Sequence, residues 1–155
     1  LGAHLVLGVA EPPWHALVQG PGTAWRASAA DFRHALVQSA ALRRILGRYL
    51  HVLVAQLAMA PACQRFHPIG PRLARWLLMS QDRSHADQFH VTHETLAALL
   101  GVRRVGVTMA AGALQNRGLI SYHRGAITVL DREGLQALAC ACYGLDTAVY
   151  ADFLA

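Results

Sequence analysis

The chain has 155 residues, of which 54% are hydrophobic, 15% charged and 7% aromatic, and its formal net charge is +5. That length suffices for one compact domain or two small ones with a real core. Low charge with high apolar content excludes a disordered chain, and an odd count of three cysteines excludes a disulfide-stapled miniprotein.

All fourteen basic residues are arginine, and they are unevenly placed. Residues 1–64 hold five arginines against two acids, residues 65–124 hold eight against three, and residues 125–155 hold one against four. A basic middle followed by an acidic end suits a surface that meets a polyanion. The longest apolar stretch, Tyr49–Pro61, is interrupted by His51 and Gln56 and falls short of the roughly 18–20 residues of a membrane span. With no signal-peptide pattern at Leu1, a cytoplasmic protein is expected, with its true N-terminus upstream of that residue.

The first thirty residues read as extended. His4–Ala10, Trp14–Gln19 and Thr23–Ala27 are short apolar or alternating runs separated by Glu11-Pro12-Pro13 and Gly20-Pro21-Gly22, which is turn chemistry. Three such strands form no stable sheet core alone, so they look like the end of a larger β domain. Ser28–Asp31 supplies helix caps, and Phe32, Ala35 and Leu36 mark a short amphipathic helix. A second helix starts near Ser39. Its apolar series Leu42, Leu46, Tyr49, Leu53, Gln56 has the 4-3-4-3 spacing of a coiled-coil seam, and these five residues are the expected dimer interface. Pro61, Pro68, Gly70 and Pro71 predict a hinge. Beyond it Leu73, Trp76, Leu77 and Met79 mark a helix ending near Asp82, followed by a polar loop over Ser80–Phe89.

Val91–Leu130 carries the most information. Thr92 is a good N-cap, Leu96, Ala97, Leu99 and Leu100 form an apolar stripe, and Gly101 permits a tight turn. A second helix follows, opening with Arg103-Arg104, with Val107, Ala110, Ala111 and Leu114 inward and Gly118 as its stop. Leu119–Tyr122, the turn His123-Arg124-Gly125 and Ala126–Leu130 then predict a hairpin of wing size. Helix, turn, helix and wing make a DNA-reading unit. A recognition helix enters the major groove N-terminus first, so Arg104 suits bidentate pairing with guanine, and Val105 and Thr108 suit contact with a thymine methyl. Thr92, Arg103, Arg117 and Arg124 suit phosphates, which fix register without reading sequence.

The runs Arg72-Leu-Ala-Arg-Trp-Leu-Leu-Met79, Thr92 through Gly101-Val-Arg-Arg104, Leu114-Gln-Asn-Arg-Gly-Leu-Ile120 and Tyr122-His-Arg-Gly125 resemble the C-terminal half of the Crp/Fnr superfamily of bacterial transcription regulators. The resemblance runs from about Gly20 onward and is most specific between Arg72 and Tyr143. It implies an N-terminal β-roll sensor domain, a long dimerisation helix and a winged helix-turn-helix. The fold class expected is mainly α with small β elements. Its parts are the last β-roll strands over 1–30, a short helix with dimerisation helix and hinge over 31–67, the winged helix-turn-helix over 68–143, and a tail over 144–155.

The chain also departs from the family. Cyclic-nucleotide-binding members hold the phosphate with an Arg-Ser pair late in the roll, where this chain has Pro12-Pro13. The cysteine cluster of the iron–sulfur members is not among these residues. Val105 stands where many members place a glutamate, and Met109 replaces an arginine of the cyclic-AMP receptor type, so the family's best-known target sequences do not carry over.

Two other constellations compete with this reading. Cys63, His67, Cys140 and Cys142 offer thiolate and imidazole ligands for zinc or a redox sensor. Cys140 and Cys142 fall in an acidic C-terminal helix expected to be capped by Asp131, however, where they would point about 200° apart, and helical cysteines are usually small core residues. No metal site and no cofactor is therefore assigned. His85, His90, His93 and Glu94 suggest a second metal cluster, but a polar loop feeding an N-cap accounts for them, and no catalytic residue is assigned. The function expected is a sequence-specific regulator, not an enzyme. It would bind an inverted repeat of double-stranded DNA as a homodimer, with RNA polymerase as a further partner. The alternatives are a metal- or thiol-responsive regulator and a winged-helix module that binds protein.

Overall fold

The computed structural model describes residues 2–12, 16, 18 and 22–154. The fold is mostly helical with one small antiparallel sheet, and its core belongs to the second half of the chain.

Among the described residues before Ala29 there is no strand, which corrects the extended reading of that segment. Ala3–Leu7 is a 3-10 helix bounded by Gly2 and Gly8, both with positive φ, and it packs on the two helices that follow. A strand needs a partner for its N–H and C=O groups, and none lies beside this one. Leu5 and Val6 are half-buried there, and Leu7 is exposed. Thr23–Ala27 is irregular, and Trp14–Gln19 lies outside the described residues except for Ala16 and Val18.

Helix α1 (Ala29–Gln38) is capped by Ser28, whose Oγ accepts from the Asp31 N–H at 3.1 Å. Ser39 closes α1 and opens α2 (Ala40–Phe66), its Oγ accepting from the Leu42 N–H. At 27 residues α2 is about 40 Å long. It runs through Pro61, so the expected hinge does not start there. Leu57 and Pro61 lie on its exposed side, where the carbonyl that loses its donor remains open to water. The break falls instead at His67–Pro68. His67 is held extended (φ −108°, ψ 138°), as steric clash with a following proline requires.

The proposed seam residues Leu42, Leu46, Tyr49, Leu53 and Gln56 are half-buried within this one chain. Tyr49 meets Phe153 of the last helix, with ring centroids 6.0 Å apart, and the Arg48 guanidinium donates to the Asp152 carbonyl. The large apolar residues that α2 leaves exposed are Ile45, Val54, Leu57 and Phe66. An 18-residue window of α2 reaches a mean hydropathy of 1.3, so by length and composition this helix is able to cross a membrane, which the stretch Tyr49–Pro61 alone does not suggest.

Helix α3 (Ile69–Ser84) outruns its expected end by two residues and stops at His85 in the left-handed conformation. The segment read as polar loop contains strand β1 (Gln88–His90). Helices α4 (His93–Leu100) and α5 (Arg104–Asn116) follow, then β2 (Ile120–His123) and β3 (Ala126–Val129). The sheet order is β1-β3-β2, all antiparallel, with Phe89 opposite Ile127 and Tyr122 opposite Ile127 on the other side. Leu73, Leu77 and Leu78 of α3, Leu96, Val107, Ile120, Ile127 and Leu135 are almost wholly removed from water and form the core. At about 25 cal/mol per Å² such side chains each stabilise by roughly 1.5–3 kcal/mol before cavity costs.

The last helix expected from Asp131 onward is two. Asp131 caps α6 (Arg132–Leu138), its carboxylate accepting from the Gly134 N–H, and the chain then turns at 139–141 before α7 (Cys142–Leu154). The Cys140 N–H donates to the Pro71 carbonyl, which holds that turn against the start of α3. Residues 144–155, expected as a tail, continue α7 as far as Leu154, and α7 packs along α2. Arg132 ties α6 to the end of α3, donating to Gln81, Asp82 and the Tyr143 hydroxyl.

Candidate nucleic-acid interface

Thr92 opens α4, with its Oγ1 accepting from the Thr95 N–H at 3.1 Å. At the other end the Val102 N–H reaches the Ala97 carbonyl and the Gly101 N–H the Ala98 carbonyl, the paired bonds of a Schellman stop, with Gly101 at φ 62°. Buried Arg72 completes the end by donating to the Leu100 carbonyl, so a charged group in the core is used on a helix C-terminus, where the dipole favours it. The chain then enters α5 at 107° to α4, within the range of helix-turn-helix units.

Arg103 is the N-cap of α5, yet no side chain caps the first-turn amides. The positive end of the helix therefore meets solvent beside Arg103 and Arg104, both exposed. Val107, Ala111 and Leu114 bury one face of α5. Val105, Thr108, Met109 and Gly112, spaced by three, one and three residues, leave the opposite face open, with Val105 62% and Met109 72% accessible.

The wing is tied to this helix by Gln115, whose Oε1 accepts from the Tyr122 N–H at 2.7 Å. Its two-residue turn, Arg124–Gly125, has positive φ at both positions (47° and 83°), as the tight hairpin turn demands. Asparagine or glycine usually takes the first of these places, so an arginine there carries strain. The turn is braced by the Val91 N–H, which donates to the Gly125 carbonyl at 2.8 Å. Thr92, Arg104 and Arg124 thus line one cleft between the wing tip and the two helix N-termini.

The floor of that cleft is His93. Its ring stacks on Tyr122, with centroids 4.2 Å apart and planes 15° from parallel. Its Nδ1 lies 3.0 Å from the Thr108 Oγ1, and that hydroxyl donates onward to the Arg104 carbonyl. Because the threonine proton is used, His93 must be the Nδ1–H donor, leaving Nε2 as a buried acceptor without a partner among the described residues. Burial, followed by the charge of Arg104, holds the imidazole below the ordinary histidine pKa. The relay links the first turn of α4 to the first turn of α5. Glu94 lies 4.0 Å from Arg104, but both side chains are more than two-thirds exposed, so the pair is weak and leaves the guanidinium free to swing.

The structure therefore brings together Thr92, Arg104 and Arg124, leaves Arg103 exposed at the N-cap of α5, and sets Val105, Thr108 and Met109 along the open face of that helix. Arg117 is the C-cap of α5, almost 20 Å from that end. The four residues His85, His90, His93 and Glu94 do not converge as a ligand set among the described residues. His93 and Tyr122 are the members that sequence reasoning missed, and the legible signal was the Thr92 cap, which fixes His93 at the first helical position.

A family model described as the Crp-like helix-turn-helix domain matches residues 71–138. These residues are similar to that domain. Among solved structures, a putative Crp/Fnr-family transcriptional regulator from Eubacterium rectale is 26% identical, with a TM-score of 0.52, over 71% of this chain and 51% of that one. A CRP-family transcriptional regulator from Thermus thermophilus is 23% identical, with a TM-score of 0.58, over 69% and 57%. The chain spans about half the length of the solved regulators it matches. No curated protein sequence matches it. The matched residues include α4, α5 and the β2–β3 hairpin.

Proposed function

We propose that this chain is the DNA-reading part of a transcription regulator. The observation that supports it most directly is the open end of α5, where uncapped amides stand beside exposed Arg103 and Arg104, and Arg104 lines the same cleft as Arg124. A duplex brings phosphates to the amides and base edges to Arg104, Val105, Thr108 and Met109. The Thr108 hydroxyl is engaged with the Arg104 carbonyl, so its methyl is the group left for a base. Two copies joined along α2, through Leu42, Leu46, Tyr49, Leu53 and Gln56 with the exposed Ile45, Val54 and Leu57, would read an inverted repeat with half-sites about one helical turn apart. RNA polymerase is the natural further partner of such a regulator, and the cytoplasm its compartment.

The test is selection from a random duplex pool at physiological salt, with the association state measured by sedimentation. An enriched inverted repeat bound by two chains is the expected result. Enrichment of a single half-site would remove the dimer from the reading. Binding only at low salt, with no enriched sequence, would overturn sequence reading and favour a winged helix that serves a protein partner.

A further inference from the structure

Three cysteines and one histidine arrive at a single point from separate parts of the chain. Cys63 and His67 lie one turn apart at the end of α2, Cys140 sits in the turn after α6, and Cys142 is the first residue of α7. One donor atom from each lies within 4.8 Å of every other. The break between α6 and α7 makes this possible, because Cys140 and Cys142 are not two positions on one helix and their sulfurs converge.

The separations are those of a coordination shell. Zinc bonds of about 2.3 Å to sulfur and about 2.0–2.1 Å to nitrogen, at the tetrahedral angle, put two sulfurs about 3.8 Å apart and a sulfur and a nitrogen about 3.5 Å apart. Cys63 Sγ and Cys140 Sγ are 3.7 Å apart, and Cys142 Sγ and His67 Nδ1 are 3.5 Å apart. All three cysteines are buried, and His67 is half-buried. Thiols packed merely as small apolar groups have no reason to aim at each other and at an imidazole nitrogen.

A second shell is also in place. Arg75 Nη1 lies 3.7 Å from Cys63 Sγ, and its guanidinium is oriented by buried Asp146, with Nε 2.7 Å from Oδ2. Three thiolates around a dication leave one negative charge, which an arginine directed at a ligand sulfur offsets.

We propose that Cys63, His67, Cys140 and Cys142 bind one thiophilic divalent cation of the zinc class in a closed tetrahedral site. Four protein ligands leave no open position, so the site is structural, not hydrolytic. It spans the His67–Pro68 break and clamps the end of α2 to the α6–α7 turn, fixing the angle at which the Crp-like domain leaves the long helix. This goes beyond the DNA-reading proposal and does not depend on it.

The test is titration of the reduced 155-residue chain with cobalt(II), without oxygen and without DNA. The expected result is uptake of a single equivalent, with intense visible bands of tetrahedral cobalt and thiolate-to-cobalt charge transfer, displaced by zinc. Cys140→Ser, nearly isosteric, is expected to lower the affinity by more than the roughly 10–100-fold that loss of a partner outside the ligands costs, and to abolish the rise in Tm that zinc gives the unsubstituted chain. Should that variant fail to fold, the cobalt spectrum of the unsubstituted chain decides alone. Absence of the charge-transfer band, or uptake unchanged by Cys140→Ser, overturns the proposal. A chain that takes up cobalt but ignores DNA keeps the metal site and loses the regulator, and the reverse outcome separates them equally well.

Discussion

Arg104 and Arg124 face one cleft but are held in different ways, and their substitutions separate accordingly. Arg104 stands on the first turn of α5 with its side chain 70% exposed and only a weak partner in Glu94. Arg104→Ala is expected to lose about 1–3 kcal/mol of binding, concentrated at one base pair, and an equal loss on every sequence in a competition assay would end its base-reading role. Arg124 is fixed by a strained turn at φ 47°. Arg124→Asn is expected to weaken binding to all duplexes alike while raising folding stability by about 0.5–1 kcal/mol, since asparagine tolerates the left-handed region. Denaturant melts and binding isotherms on the same variant check the two opposite signs. His93 supplies a pH dependence. Its folded pKa is depressed by burial and by Arg104, so the unfolded chain takes up its proton first as pH falls through about 6.5. The stability contributed is therefore full above that value and is lost as pH falls towards the folded pKa. Melting the parent and His93→Gln between about pH 7.5 and pH 5 should show the steeper loss in the parent, and parallel losses would mean that His93 titrates as in the open chain.

At the level of elements, what was legible in the sequence is what local chemistry decides. Ser28, Thr92 and Asp131 each cap a helix as their residue type predicts, and Gly101 is the left-handed stop of α4. Gly101→Ala is expected to cost about 1–2 kcal/mol in a thermal or chemical melt, because a Cβ in that conformation meets its own backbone. A cost near zero would mean that the turn re-forms another way. The parts misread depend on partners distant in sequence. Gln88–His90 carries no alternation long enough to announce a strand and becomes one only against β3. The α6–α7 break is held by Cys140 on the Pro71 carbonyl, a pairing that no helix periodicity records. Pro61 looked like a stop because its type is a breaker, but its carbonyl partner lies on the wet side of α2. The extended reading of His4–Ala10 failed because apolar alternation without a neighbouring strand has nothing to pair with. The same logic divides the candidate site. The arginines and Thr92 follow from the motif, whereas the His93–Thr108–Arg104 relay crosses the turn and requires the 107° angle between the helices.

For the whole molecule, the distribution of charge supplies a way to count chains on DNA. The net charge of +5 comes from a basic middle and an acidic end, and the acids of that end are partly consumed inside the fold, Asp146 by Arg75 and Asp131 by its own helix cap. What faces outward at the reading end is the trio Arg103, Arg104 and Arg124. Each phosphate charge neutralised releases counterions, so the logarithm of the binding constant falls with the logarithm of salt at a slope of about −0.9 per contact. Arg104 reads a base, so one chain engaging phosphates through Arg103 and Arg124 should give a slope of about −2, and two chains on an inverted repeat about −4. Arg117 stands at the far end of α5, so Arg117→Ala should leave the slope unchanged, whereas Arg103→Ala should make it shallower by about two in a dimer, one contact from each chain. A slope of about −2 on the full repeat would mean that the second chain is not seated. A slope moved by Arg117→Ala would mean that the duplex lies along α5 further than its open N-terminal end implies.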